Sequence, residues 1–215
     1  MRVPLHALVA CAIVSVCFAA SSAAATLTLY PGGDTSLRAA SPNQTFGAVP
    51  IEIRGGPVPS RALIRFNLND LRFMLGGGGV LHSAKLRLHV DDSSTWSVSG
   101  AGIQLHRIES DWTAIWATWN CPSDSNRSND VPDCAAPWFG GSMRAETAAG
   151  HVLTAGESGW IEIDVTADLS DLVEPGARYG WLLRASDESL EVVAVFGVSE
   201  TGFAPQLVIE YTPPF

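Results

Sequence analysis

Apolar and polar residues alternate along most of the chain beyond residue 25, in short runs separated by Gly, Pro, Asn and Asp. Such period-two alternation is typical of β-strands with one buried face, and the turn residues mark where the strands end. In the clearest run, Ala84, Leu86 and Leu88 alternate with Lys85 and Arg87. The pattern predicts strands over residues 26–30, 51–54, 62–68, 83–90, 103–106, 160–165, 179–183, 191–196 and 206–211.

Three stretches depart from this alternation. Residues 69–79 start as a turn and end in four glycines, and residues 120–150 are rich in loop-forming residues. A loop as long as the second one is usually functional or mobile. Thr166 can cap one short helix from Ala167 to Val173, which Pro175 and Gly176 would end. We therefore predict an all-β fold, an antiparallel two-sheet sandwich with one short helix.

The N-terminal residues have a different composition. Arg2 precedes an almost continuously apolar run from Leu5 to Ala20, and small residues follow as far as Ala25. This pattern indicates a secretory signal peptide over residues 1–25, because the run is too short and wrongly flanked for a membrane anchor. Leu8–Cys11 also has the outline of a lipoprotein cleavage box. We expect a secreted, extracellular protein with one domain over residues 26–215 and no membrane span.

The net charge argues against one class of ligand, and the cysteines indicate a disulfide. The formal net charge is −9, which argues against nucleic-acid binding, since that requires a basic surface. Cys121 and Cys134 are the two cysteines beyond the signal peptide. An even pair in an exported chain predicts a disulfide, worth about 3 kcal/mol for a loop of this length. Two cysteines with this separation lack the paired spacing of a zinc site.

Three of the seven tryptophans lie close together: Trp112, Trp116 and Trp119. Tryptophan can fill a core, or it can stack on sugar rings and donate its N–H. We expect Trp112 and Trp119 to be core residues, because each has an isoleucine nearby. Trp116, Trp138 and Trp160 are the better candidates for a sugar platform. Trp160 is the strongest, since it points away from Ile161 and Ile163 in a strictly alternating strand.

A basic stripe lies on the polar side of two predicted strands. It consists of Lys85, Arg87 and His89 on the first strand and Gln104 and His106 on the second. If these strands are neighbours, their side chains form one patch whose cations suit the carboxylates of an acidic polysaccharide. The alternative is a solvated sheet face, paired with Asp or Glu from elsewhere.

Several separated motifs together resemble one family. The sequence resembles the DNRLRE-type domain, also classed as carbohydrate-binding module family 96 and related to repeats in archaeal disaggregatases. The matching pieces run through nearly the whole chain beyond residue 25: Asp34-Thr35, Asn43-x-x-Phe46-Gly47, Arg61-x-x-Ile64-Arg65-Phe66-x-Leu68, Ser83-Ala84-Lys85-Leu86-x-Leu88, Ile108-x-x-x-Trp112, Ala117-Thr118-Trp119-Asn120, Ile163-Asp164-Val165-Thr166, Tyr179-Gly180-Trp181-x-Leu183, Phe196-x-x-Ser199-Glu200 and Pro205-Gln206-Leu207-Val208-x-Glu210-Tyr211.

The resemblance implies a secreted, jelly-roll-like β-sandwich that binds polysaccharide, in some members an acidic one such as alginate. This chain departs from the family pattern at Asn67, where Asp is common, in the disulfide loop, and in having no enzyme domain beside the module. Sandwiches of this kind often hold a structural calcium ion, for which Asp34 and Glu200 are the candidates, although neither lies in a calcium-loop motif. No other cofactor is required.

Enzymatic interpretations have little support. None of the five histidines lies in H-E-x-x-H, and no G-x-S-x-G motif occurs. Glu162 and Asp164 share a strand face, but a glycosidase needs carboxylates on opposite sides of the sugar. The sequence therefore predicts a non-catalytic carbohydrate-binding protein with Lys85, Arg87, His89, Gln104, His106 and Trp160 as its site. The alternative is a structural or adhesive surface protein that acts through other extracellular proteins and has no sugar site.

Overall fold

The computed structural model describes residues 23–172, 179–198 and 202–214. The elements in chain order are β1 (Ala25–Leu29), β2 (Pro31–Arg38), β3 (Ile51–Arg54), β4 (Ser60–Phe66), α1 (Asn69–Gly76), β5 (Val80–Asp92), β6 (Gly102–Arg107), β7 (Ala149–Val152), β8 (Gly159–Asp164), α2 (Thr166–Leu172), β9 (Trp181–Ala185), β10 (Val193–Phe196) and β11 (Gln206–Thr212).

The strands form one curled antiparallel sheet. Its order is β1-β11-β5-β10-β3-β4-β9-β6-β7, with β8 also paired to β5 and β2 also paired to β4. The long strand β5 holds β11 along one edge and β8 along the other, so that Leu86 lies opposite both Leu207 and Ile163. The sheet curls because its apolar face must be removed from water, and a curled sheet can enclose a core by itself.

The inner face of the sheet surrounds the main core. Alternate residues of nearly every strand reach it, including Leu86 and Leu88 of β5, Ile64 of β4 and Leu183 of β9, all with almost no exposed surface. Strands β5 and β4 line the same core cluster from different parts of the curled sheet, which gives two layers, β11-β5-β8 and β2-β4-β9-β6. The fold is an all-β sandwich-like structure, as the alternation predicted.

A second, smaller core covers the outside of one layer. Leu37, Leu63 and Leu182 point outward from β2, β4 and β9, and they pack against Trp112 and Ile108. These partners belong to the segment between β6 and β7, residues 108–148, which we call the insertion. Where the insertion leads back towards β7, its backbone lies close to the sheet. A Cβ on Gly141, whose φ is +104°, would lie 2.4 Å from Leu182 Cδ1. The insertion therefore buries an apolar surface that would otherwise face water.

The structure adds three elements to those predicted. Strand β2 begins at Pro31, where Pro and Gly predicted a break, and β7 lies at the end of the predicted 120–150 loop. Helix α1 replaces a predicted turn, because Leu71 is fully buried and holds the segment against the core. Helix α2 matches the predicted helix, although Val173, Pro175 and Gly176 lie outside the described residues. The jelly-roll connectivity stays a prediction.

The predicted signal peptide lies almost wholly outside the described residues. Strand β1 begins at Ala25, which pairs with Tyr211, one residue before the predicted start of the domain. Within the described ranges, neither α1 nor α2 has the length and apolar content needed to cross a bilayer.

Candidate functional site

Five side chains on the outside of the β11-β5-β8 layer form the candidate site, which we call the aromatic face: Arg87, His89, Trp160, Phe203 and Gln206. His89 lies opposite Trp160 in the β5-β8 ladder. Its ring stacks on Phe203 with centroids 4.0 Å apart and meets Trp160 edge-on at 5.3 Å. Trp160 keeps 36% and Phe203 43% of their surface exposed. These two partly exposed rings, together with the histidine that contacts both, form an aromatic cluster of the kind that can serve as a binding surface.

Polar contacts fix the orientation of these rings. The guanidinium of Arg87 lies over the Trp160 ring, 4.9 Å from its centroid, and Nη1 donates to Gln206 Oε1 at 2.9 Å. His89 Nδ1 lies 2.6 Å from Asp91 Oδ1. Each contact restrains a side chain that would otherwise be mobile on a sheet surface. Such restraint lowers the conformational entropy that these side chains lose when a ligand binds.

The cations of this layer are paired with carboxylates. Lys85 Nζ donates to Glu162 Oε2 at 2.8 Å, and Arg87 Nε lies 3.3 Å from Glu162 Oε1. The hydrogen bond from Lys85 lowers the pKa of Glu162, and the same bond raises the pKa of Lys85. Asp164 lies opposite Lys85 in the ladder, and Glu210 also acts on its charge. The face is therefore not a region of net positive charge.

The second half of the predicted stripe lies elsewhere. Strand β6 pairs with β7 and β9 and not with β5, so Gln104 and His106 do not form one patch with Lys85, Arg87 and His89. His106 is only 4% exposed, and its Nδ1 lies 3.0 Å from the carbonyl oxygen of Arg144 in the insertion. Burial lowers the pKa of His106. The prediction of a single five-residue patch is wrong, because pairing between distant parts of the chain decides which strands are neighbours in the sheet.

The tryptophans divide between core and surface. Trp112 is 2% exposed and donates its Nε1 proton to the carbonyl oxygen of Tyr179 at 2.7 Å, which confirms it as a core residue. Trp119 and Trp138 are half-buried against the second core, and Trp138 Nε1 donates to the carbonyl oxygen of Thr118. Of the three platform candidates, Trp160 is on the aromatic face and Trp116 lies half-buried in the insertion.

The metal candidates are not brought together among the described residues. Asp34 lies in β2 opposite Ile64, and Glu200 is outside the described ranges. Within those ranges, no group of three His, Cys, Asp or Glu side chains is arranged to hold a metal ion. The calcium site stays a prediction.

Two residues of the site were missed by the sequence analysis. Phe203 follows Gly202 in a turn, where no periodic pattern indicates which way a side chain points. Gln206 could have been found, because it begins β11 and alternates with the buried Leu207 and Ile209. The Cys121–Cys134 disulfide, in contrast, is present as predicted, with Cα atoms 5.9 Å apart.

Comparisons with protein-family models and with curated proteins find no match for this chain. The resemblance to the DNRLRE-type domain therefore stays a prediction based on the motifs, and the geometry of the described residues carries the functional argument.

Proposed function

We propose that this protein is a secreted, non-catalytic polysaccharide-binding module that uses the aromatic face. The observation that carries the proposal is the exposed contact between Trp160, His89 and Phe203 on the outside of a regular sheet. Aromatic rings cover the apolar C–H faces of sugars, and planar polar groups beside them bond to the hydroxyls. Arg87 and Gln206 supply such groups within the same face.

A rigid sheet supports this function. Trp160 and His89 lie on paired strands whose opposite faces are anchored by Ile161 and Leu88 in the main core. Sites on regular elements are held more precisely than sites on loops. The Trp160 and His89 rings therefore keep their spacing in the absence of a ligand, which favours binding of an extended chain.

A further question in the proposal is whether the ligand is an acidic or a neutral polysaccharide. Glu162 forms ion pairs with both Lys85 and Arg87, and it competes with any carboxylate that a ligand would bring. A uronic-acid polysaccharide must displace this partner, whereas a neutral glycan can bind while the pairs stay intact. Recognition of acidic polysaccharide thus depends on exchange of Glu162 for a ligand carboxylate.

One observation favours the alternative, a structural or adhesive surface protein without a sugar site. His106 of the predicted stripe is covered by the insertion. The exposure of Trp160 and Phe203 weighs against that alternative, because a sheet that served only as a spacer would gain nothing from two exposed rings.

Binding through the aromatic face requires no cofactor. Calcium at Asp34 and Glu200 would be structural, and a rise in melting temperature on adding calcium would reveal it.

Affinity electrophoresis tests the proposed function. The protein is run in native gels that contain alginate, pectin or a neutral glucan, beside Trp160→Ala and Phe73→Ala. Phe73 is the matched control, because it is 84% exposed and lies on α1, away from the face. We expect the wild type and Phe73→Ala to be retarded in at least one gel and Trp160→Ala to run freely in it. Equal mobility of all three proteins in every gel would contradict the proposal.

A further inference from the structure

A large open groove lies between the insertion and the loop that connects β2 to β3. It encloses about 900 Å³, and its walls include Asn43, Gln44, Trp116, Asn126, Arg127 and Asn129. No residue of the aromatic face lines it. The groove lies between two loops and is largely open to solvent, whereas the aromatic face lies on a sheet surface.

The groove is held open by fixed contacts. Asn43 joins its two walls: its Oδ1 accepts a hydrogen bond from Asn120 Nδ2 at 2.7 Å, and its Nδ2 donates to the carbonyl oxygen of Asp130 at 2.7 Å. The Cys121–Cys134 disulfide closes the wall that carries Asn126 and Asn129. The cavity is thus part of the folded insertion and does not depend on a mobile loop.

The side chains of the groove are suited to hydroxyl groups. Trp116 presents a half-buried indole, and the guanidinium of Arg127 stacks on it 4.2 Å from the ring centroid. Amide groups of Asn and Gln, which both donate and accept, and hydroxyls of Ser and Thr make up most of the remaining lining. The indole can contact the apolar face of a sugar ring, and the neighbouring groups, which both donate and accept hydrogen bonds, can bond to the hydroxyls at its edge.

The charge and the backbone geometry of the groove lining argue against nucleic acid and extended peptides as ligands. Among the described residues that line the groove, Arg127 is the only cation, and Asp130 offsets its charge. Asp124 lies directly behind the wall, 1% exposed, with its Oδ1 accepting the N–H of Asn126. This balance does not favour polyanions such as nucleic acid. The lining residues lie outside the strands, so an extended peptide finds no sheet edge to extend.

We propose that this groove is a second binding site, specific for an uncharged oligosaccharide segment. The inference rests on the proposed function and extends it, because the insertion covers the β2-β4-β9 layer while the aromatic face lies on the β11-β5-β8 layer. The two sites share no residue and lie over different strands, so each can hold its own ligand chain. The protein is then bivalent and connects two polysaccharide segments.

The test uses three neutral probes, cellohexaose, laminarihexaose and mannohexaose, added to the isotopically labelled protein. Side-chain amide signals of Asn43, Gln44, Asn126 and Asn129 report on the groove, and calorimetry gives the affinity. The variants are Trp116→Ala, Trp160→Ala and Ile115→Ala. Ile115 is the matched control, since it is adjacent to Trp116, is 58% exposed and does not line the groove.

We expect at least one probe to shift the groove amides, and Trp116→Ala to weaken that binding about ten-fold, as for a typical anchor tryptophan. Ile115→Ala and Trp160→Ala should leave it unchanged. If no probe shifts the groove amides, or if Trp116→Ala binds like the wild type, the inference is wrong. A probe that shifts the groove amides equally in the wild type and in Trp160→Ala supports the groove, whereas the aromatic face is tested separately by the mobility of Trp160→Ala in the alginate, pectin and glucan gels.

Discussion

The guanidinium of Arg87 covers one side of the Trp160 ring at 4.9 Å from its centroid, and the same side chain is 3.3 Å from a carboxylate oxygen of Glu162. One arginine thus joins the ring that would contact a sugar to the carboxylate that neutralises the local charge. The local charge and the orientation of the ring therefore both depend on Arg87.

Glu162→Gln should separate these two effects. The substitution removes the negative charge that pairs with Lys85 and Arg87 but keeps a side chain of the same shape. We expect stronger retardation in an alginate gel and no change in a neutral glucan gel, because only the acidic polymer gains from two free cations. Glu191→Gln is the matched control, since it makes the same change of net charge at an exposed position outside the face. Equal behaviour of the two variants in the alginate gel would contradict the argument.

The second core makes Trp112 a determinant of stability. Trp112→Ala should lower the free energy of unfolding by about 3–5 kcal/mol, the range for removal of a buried tryptophan from a core, and it also leaves the carbonyl oxygen of Tyr179 without its donor. Ile115→Ala, at an exposed position three residues away, should stay within about 0.5 kcal/mol of the wild type. Urea denaturation followed by fluorescence gives both values. Similar losses in the two variants would show that the insertion does not pack as described.

The buried His106 should make stability depend on pH. Burial, together with the charges of Arg184 and Arg61, lowers its pKa from the ordinary 6.5, although the carbonyl oxygen of Arg144 acts in the opposite direction. Between the lowered pKa and 6.5 the unfolded chain binds more protons than the folded one. The contribution of His106 is therefore complete above pH 6.5 and is lost as the pH falls through that window.

His106→Asn tests this dependence, because the Asn amide can still donate to the Arg144 carbonyl but does not titrate. Urea denaturation at about pH 7.5 and about pH 5.5 should show a smaller loss of stability on acidification for the variant than for the wild type. The same loss in both proteins would mean that other groups carry the pH dependence.

The disulfide should stabilise the insertion and the groove. Replacing both Cys121 and Cys134 by Ser should lower the free energy of unfolding by about 3 kcal/mol, according to the entropy of closing a loop of this length. Reduction of the wild type should give the same midpoint in urea as the double variant. A change below about 0.5 kcal/mol would indicate that the surrounding contacts hold the insertion by themselves.

The alternation of apolar residues was enough to predict the sandwich, because each strand buries one face in a shared core. It missed α1, whose only fully buried residue is Leu71, and β2, whose first residues are typical of turns. The site was harder to predict. Lys85 and His106 both point outward from the main core, but which strands lie beside β5 and β6 depends on pairings between distant parts of the chain. Likewise, no local sequence pattern indicates that the insertion covers His106, because that contact joins distant parts of the chain.

The central claim is that the aromatic face binds polysaccharide, and a glycan array probed with the wild type, Trp160→Ala and Phe73→Ala tests it most directly. We predict that the wild type and Phe73→Ala bind the same class of glycans, and that Trp160→Ala loses at least one of them. Absence of binding by the wild type to every glycan, or an unchanged profile for Trp160→Ala, would contradict the claim.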